Sequence, residues 1–355
     1  MSKGRVTETK RHEGSGRQGM SLSPGKRARL ERVSNLAGVI AALAIDQRNV
    51  LRNLLAKAKR TTPEEIPSGM LEEFKEAVSR ILTPHASAIL LDPEYGLPAA
   101  RQRAKTSGLL LAYEQTGYDA TVPGRLPRLL DEWSVRRLKD AGADSVKVLL
   151  YYSPFSSPKV NNTKHAWVER IGAECAGLDV PYFLELVVYH DEMDEKSLEF
   201  ARIKPETVVG GLAEFSKPQY GVDVFKVGLA VNMAFVGDSG GNFAYTREEA
   251  KKHLRHAGEA ALKPFIYLSE GVSNKTFDDG LALAAEAGVR FSGVLCGRAT
   301  WKDGVEIYAT QGRSALEQWL SGEGVENIRR VNERLRAAYP WTALHGNQTT
   351  AGSAR

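Results

Sequence analysis

The chain has 355 residues, 42% of them hydrophobic, only two cysteines and a formal charge of +5. That is enough apolar material for one large α/β domain or two smaller ones, with no apolar run long enough to cross a bilayer and no secretory leader expected from the polar N-terminus. Cys175 and Cys296 lie far apart in sequence, which points to a reducing, cytoplasmic setting without a disulfide framework or a cysteine-based zinc site.

The positive charge is concentrated. Residues 1–35 hold nine Lys/Arg against three acids, so the body is close to neutral. Met1 to Met20 reads as a solvated, disordered basic extension outside the fold. It offers at most a weak polyanion contact, and a nucleic-acid partner is not expected. Ser23-Pro24-Gly25 then opens a basic helix over Lys26–Ser34, and a turn at Asn35–Gly38 leads into a first strand at 39–45.

From there one period repeats: a short, almost continuously apolar run, a polar loop, an amphipathic stretch. The runs are 39–45, 86–91, 107–113, 145–151, 182–188, 222–228, 264–268 and 291–296. Runs without polar alternation fit strands buried on both faces, as in a parallel sheet. Helical patterns lie between them, among them Leu71–Leu82, Trp133–Ala141, Lys164–Gly177, Thr246–Leu262 and Lys275–Ala287. Gly142, Gly177 and Gly288 stand where helix C-terminal caps are expected. Eight such units predict an α/β fold of the (β/α)8 TIM-barrel type over residues 21–343, as a single domain. A doubly wound open sheet is the alternative, but no G-x-G-x-x-G follows an early strand. After Gly304 the pattern predicts a turn and a last helical stretch, Val325–Tyr339, and residues 344–355 read as a frayed tail.

In such a barrel the chemistry sits at the C-terminal ends of the strands. Those ends carry Asp46-Gln47-Arg48, Asp92, Glu114, Lys147, Glu185, Lys226, Ser269-Glu270-Gly271 and Gly297-Arg298. A strand-end charge is usually satisfied by a neighbour, and Lys226 has the plain alternatives of reaching solvent or pairing with Asp223. Lys147 and Glu185, however, have apolar neighbours on both sides. An amine pressed into a core beside a second cation tends to lose its proton and become a nucleophile. Lys226 with Lys147 beside it satisfies that description, and Glu185 is the candidate proton shuttle. Ser269, Gly271, Gly297 and Arg298 combine a hydroxyl, open backbone N–H groups and a guanidinium after strands seven and eight, where many barrels hold a phosphate. His253 and His256, three apart on a helix without acidic partners, read as surface rather than as metal ligands.

The segments Val39-Ile-Ala-Ala-Leu-Ala-Ile-Asp-Gln-Arg48, Val146-Lys-Val-Leu-Leu-Tyr-Tyr152, Phe183-Leu-Glu-Leu-Val187, Asp223-Val-Phe-Lys-Val227, Tyr267-Leu-Ser-Glu-Gly-Val272 and Gly293-Val-Leu-Cys-Gly-Arg-Ala-Thr-Trp301 together resemble the class I, Schiff-base, tagatose 1,6-bisphosphate aldolases. They do so in family order over roughly residues 25–340, and the last segment is the most specific. The resemblance implies a lyase of the tagatose 6-phosphate pathway of lactose and galactose catabolism. It would cleave D-tagatose 1,6-bisphosphate to dihydroxyacetone phosphate and glyceraldehyde 3-phosphate. Lys226 would be the Schiff-base lysine and Glu185 the acid/base, with Lys147 and Asp46 close to the reacting carbons. Gln47 would lie near the substrate hydroxyls, and Ser269, Gly271, Gly297 and Arg298 would hold a phosphate. No metal and no cofactor is implied, because an iminium replaces the divalent cation of the other aldolase class. The partner is then a small sugar phosphate, with no membrane contact and the oligomeric state open, a homo-oligomer included. The extension and the glycine-rich stretch Gly237–Ala244 depart from the family pattern, which leaves open a Schiff-base aldolase for fructose bisphosphate or sulfofructose phosphate. From a different class, a regulatory binding protein on a retained aldolase fold has the basic extension in its favour.

Overall fold

Continuous apolar runs form strands here because each strand packs on helices outside and on other strands inside. In the computed structural model, which describes residues 22–116, 122–237 and 242–343, eight parallel strands close in sequence order, and the last pairs back onto the first. They are β1 (Ile40–Ala44), β2 (Ala88–Leu91), β3 (Gly108–Ala112), β4 (Ser145–Tyr152), β5 (Tyr182–Val188), β6 (Val224–Val227), β7 (Phe265–Tyr267) and β8 (Gly293–Cys296). All eight predicted runs are strands, in a (β/α)8 barrel. The basic extension and the C-terminal tail expected at 344–355 lie outside the described residues.

A helix α1 (Pro24–Arg32) precedes the barrel, two residues earlier than the pattern suggested, because Ser23 accepts the Lys26 N–H as a side-chain cap. Helices α2 (Asn49–Lys59) and α3 (Ser68–Leu82) follow β1, α4 (Leu97–Gln102) follows β2 and α5 (Val135–Asp140) follows β3. Then come α6 (Pro158–Gly177), α7 (Leu198–Phe215), α8 (Arg247–Ala260) and α9 (Asn274–Glu286), one after each strand. Pro205 inside α7, with Gly210 and Gly211 beyond it, masks the helical period of that segment in sequence. The stretch after Gly304 is not a turn. It forms α11 (Gly304–Gln311) and α12 (Arg313–Trp319), preceded by the short α10 (Arg298–Trp301) and followed by α13 (Val325–Arg334). Gly142 and Gly288 take the left-handed conformation expected of caps, with φ of +100° and +71°. Gly177 does not: it is the last residue of α6, and Asp179 takes the left-handed position two residues on.

The core divides at the strands. Odd and even positions alternate between the helix layer and the barrel interior. The interior is filled by Ile40, Ala42, Ala44, Ala88, Leu90, Leu110, Ala112, Phe183, Val224, Ile266 and Leu295. Leu30 and Val33 near the end of α1 and Trp341 from the chain's end pack into the same cluster, so α1 closes the N-terminal end of the barrel. Lys26 of α1 forms a 2.6 Å ion pair with Asp223, which also accepts the Tyr182 N–H at 2.8 Å. Asp223 is thereby committed to the closed end, and is not the partner of Lys226. The opposite, C-terminal end is the open one.

Candidate active site

Four of the inward columns, continued by two residues past the apolar filling, deliver a charge to the open end. Ala44 leads to Asp46, Ala112 to Glu114, Phe183 to Glu185 and Val224 to Lys226. Lys147 reaches the same level from β4, and register sets Glu185 of β5 directly beside Lys226 of β6. The structure thus brings together residues as far apart in sequence as Asp46 and Lys226.

Lys147 is completely buried. Its Nζ donates to Asp46 Oδ2 at 2.8 Å and to Glu114 Oε1 at 2.6 Å, and forms an ion pair with Glu185 Oε2 at 2.8 Å. The same Glu185 oxygen lies 2.8 Å from Lys226 Nζ, so one carboxylate bridges both amines. Burial opposes the charge on Lys147, but Asp46, Glu114 and Glu185 outweigh it and raise the amine well above its ordinary value. Burial likewise pushes against ionisation of Glu185, and Lys147 followed by Lys226 reverses this and lowers the carboxyl. Asp46 is held well below the usual carboxylate range in the same way, by Lys147 above all, against its own burial. The two lysines therefore do not meet as the bare pair of like charges that their sequence positions suggested. Lys147 is a fixed ammonium inside a ring of three carboxylates, and Lys226 faces it across Glu185.

The remaining strand-end residues sort by partner. Asp92 is fully buried against Lys75 of α3, which also donates to the Ile45 carbonyl at 3.0 Å, so this pair supports the backbone below Asp46. Arg48 ties the ends of three strands, with its guanidinium on the Glu114 carbonyl at 2.8 Å and on the Glu94 carboxylate. Gln47 is half-buried beside Gly297, its Nε2 3.5 Å from where a β-carbon at that glycine would stand. Asp46 Oδ1, Gln47 Oε1 and Glu114 Oε2 are buried acceptors without hydrogen-bond partners among the described residues. The orphaned acceptors of Asp46 and Glu114 sit on the two carboxylates that hold Lys147, so hydroxyl groups of a ligand would complete the site.

Beyond β7 and β8 the chain builds a second, more open part. The Val272 N–H donates to the Ser269 carbonyl at 3.0 Å. Between them Glu270 and Gly271 both have positive φ, +48° and +77°, the pattern of a type I′ turn. The Arg298 guanidinium lies on the glycine: a β-carbon at Gly271 would stand 2.6 Å from Nη2. Glu270 is turned away, paired at 2.8 Å with Lys204 of α7 and lying over Gly228, where its carboxylate leaves no room for a β-carbon. With the loop's acid paired to Lys204, the Arg298 guanidinium is the charge that lies on Gly271. Gly297 lies against β1, where a β-carbon would sit 3.1 Å from the Ala44 carbonyl oxygen.

His253 packs on the Tyr245 ring, 5.4 Å between centroids, and His256 is exposed. Among the described residues no group of three or more His, Cys, Asp or Glu is arranged to hold a metal ion, and no helix is long and apolar enough to cross a membrane. Sequence reasoning placed Glu114 only at a strand end. Its membership of the Lys147 ring was signalled by its inward parity, two residues beyond Ala112. The glycine-rich stretch Gly237–Ala244 is described only in part, since residues 238–241 lie outside the described residues.

The family model of the DeoC/LacD aldolases matches residues 40–303, a span that contains all eight strands and every side chain of the site. The chain belongs to the DeoC/LacD aldolase family. This aldolase is 52% identical to tagatose 1,6-diphosphate aldolase 2 of Enterococcus faecalis, over 91% of its own chain and 98% of that protein. It is 47% identical to tagatose 1,6-diphosphate aldolase of Listeria monocytogenes, over 92% and 97% respectively. Fructose-bisphosphate aldolase of Plasmodium falciparum, 12% identical, shares the fold with a TM-score of 0.65 over 90% of this chain and 97% of that one. The resemblance read from the motifs holds across the chain, and the enzyme is a lyase.

Proposed function

We propose that this aldolase cleaves D-tagatose 1,6-bisphosphate to dihydroxyacetone phosphate and glyceraldehyde 3-phosphate through a Schiff base on Lys226. The observation that carries this reading is the arrangement of the two buried amines around Glu185. A nucleophilic amine must be neutral. Lys147 is locked as an ammonium by three carboxylates, whereas Lys226 has the ionised Glu185 beside it as proton acceptor. The names carried by the relatives support the sugar.

Glu185 takes a proton from Lys226, and the free amine adds to the C2 carbonyl of the open-chain ketose. The carbinolamine hydroxyl leaves as water with the proton returned by Glu185, giving an iminium. The C4 hydroxyl then loses its proton to the carboxylate and the C3–C4 bond breaks. Its electron pair moves onto C3 and into the iminium, leaving an enamine, and glyceraldehyde 3-phosphate departs. Protonation at C3 and addition of water release dihydroxyacetone phosphate and restore the amine. No electron is gained or lost overall. Lys147 and Asp46 orient the hydroxyls and hold the site's charge in place, Gln47 offers its free carbonyl to a hydroxyl, and Ser269, Gly271, Gly297 and Arg298 hold the C1 phosphate. Proton transfer of this kind contributes roughly 10²–10⁴-fold.

The test is borohydride reduction in the presence of dihydroxyacetone phosphate and EDTA, followed by peptide mass mapping. A reduced adduct on the peptide containing Lys226, lost in Lys226→Met together with turnover, is the expected result. A folded protein that forms no adduct would overturn the mechanism. Triose release from tagatose and fructose bisphosphates, measured side by side, tests the sugar.

A further inference from the structure

Four described residues other than glycine have left-handed backbones. Arg60 caps α2 and Asp179 follows the last turn of α6, both ordinary helix endings. The other two, Arg125 and Glu270, with φ of +40° and +48°, sit in loops at the open end of the barrel, where strained backbone marks function. Both are charged, and both are anchored by the segment that follows β5. Glu270 pairs with Lys204. Arg125 Nη1 pairs with Glu195 at 2.6 Å, while the neighbouring Gly124 N–H donates to Asp191 Oδ1 at 3.1 Å. Gly124 and Arg125 are thereby held to the segment that follows β5.

The Arg125 guanidinium is held between two aromatic rings, 5.0 Å from the Tyr151 centroid and 4.6 Å from that of Tyr189. Tyr151 stands on the same face of β4 as Lys147, two pleats further out. Burial above all raises its phenol, with smaller influences from the charges of Arg125, Glu195, Glu185 and Arg298. Besides Arg48, the open end therefore carries positioned guanidinium groups on Arg125, over the ends of β4 and β5, and on Arg298, after β8, with Glu185 and Lys226 on β5 and β6 between them in strand order. Arg125 Nε is buried with no hydrogen-bond acceptor among the described residues. Its carboxylate partner among the described residues, Glu195, is 41% exposed at the side chain, where such a pair is weak and displaceable. A phosphate dianion offers that guanidinium two parallel acceptors.

We propose that Arg125 receives the second phosphate of the substrate, at the end remote from Arg298, and so makes the enzyme prefer a ketose bisphosphate to a ketose 1-phosphate. This rests on the reading of Lys226 as the Schiff-base lysine. It places the distal anion on the loop after β3 rather than on the glycine-rich loop after β6. Glu195 keeps the guanidinium in position while the site is empty.

The experiment compares tagatose 1,6-bisphosphate with tagatose 1-phosphate in the full-length wild type, Arg125→Gln and Glu195→Gln. Arg125→Gln raises KM for the bisphosphate roughly 10–100-fold, the range expected for a lost charge-assisted contact. It leaves kcat/KM for the 1-phosphate within about twofold, and leaves borohydride trapping with dihydroxyacetone phosphate intact. Glu195→Gln, which removes the competing carboxylate, does not raise the bisphosphate KM. The proposal is overturned if Arg125→Gln weakens both substrates alike, if Glu195→Gln reproduces it (a merely structural pair), or if the wild type does not discriminate between the two sugars. Trapping with dihydroxyacetone phosphate, which has no distal phosphate, reports on the Schiff base alone, so the two readings fail separately.

Discussion

Replacing Lys147 with methionine removes one buried cation and leaves three buried carboxylates facing one another across a few ångströms. Lys147 is completely buried, with Asp46, Glu114 and Glu185 all within 2.8 Å of its Nζ. Breaking a buried ion pair from one side costs about 3–5 kcal/mol, because the remaining charge is uncompensated. At roughly 2 °C per kcal/mol for a large domain, melting near neutral or mildly alkaline pH falls by about 6–10 °C. The loss depends on pH in a defined direction. In the wild type Asp46 and Glu185 have lowered pKa values, so their contribution is present above the ordinary carboxylate pKa of about 4 and disappears as pH falls through the lowered values. Lys147, raised, contributes below the ordinary lysine value of about 10.4 and loses that contribution only as pH rises through the raised one. Without the ammonium, burial dominates and the carboxyl pKa values climb. The variant then regains stability relative to wild type as they take up protons, by up to about 1.4 kcal/mol per pH unit for each group. Calorimetric melting of both proteins at about pH 5, 6.5 and 8 reads this directly. The wild-type advantage should be largest at the highest of these and shrink towards the lowest. An advantage under about 2 °C at the highest pH, or one that does not change with pH, would refute the electrostatic account of the cluster.

Glu185→Gln keeps the shape of the bridge but cannot exchange a proton, and turnover should fall roughly 10²–10⁴-fold. In the wild type, burial alone would raise the Glu185 pKa, but Lys147 and Lys226 lower it. The base form therefore persists under acid, and the acidic limb of kcat/KM belongs below the ordinary glutamate value of 4.5. Loss of activity well above that value, traced to Glu185, would contradict this. Gly271→Ala forces a side chain onto a left-handed backbone and into the Arg298 guanidinium. It should weaken trapping by dihydroxyacetone phosphate about tenfold while sparing trapping by unphosphorylated dihydroxyacetone. Equal losses with both would place the glycine's role in folding rather than in phosphate binding.

The sequence by itself determined the architecture and most of the candidate residues. Eight runs without polar alternation demand strands covered on both faces, and a helix between each pair leaves little but a closed parallel barrel. A lysine or glutamate inside such a run has no solvent to reach, so Lys147, Glu185 and Lys226 stood out without any coordinates. Helix ends and interruptions were less legible. Asp179 rather than Gly177 takes the left-handed position after α6, and Pro205 hides α7, since packing overrides local propensity there. What only the tertiary structure decided is which charges meet. Asp46 and Lys147 are 101 residues apart and touch because β1 and β4 face each other across the closed interior. Glu114 joins them through strand parity, while Asp223 and Asp92 are claimed by Lys26 and Lys75 from helices outside the sheet. The sign of an electrostatic effect depends on that whole neighbourhood. Two lysines close in space look like a repelling pair in a list of strand ends, but Coulomb's law acts on distances through space. Closure of the barrel put three carboxylates around one lysine and set the other beside one of them, Glu185.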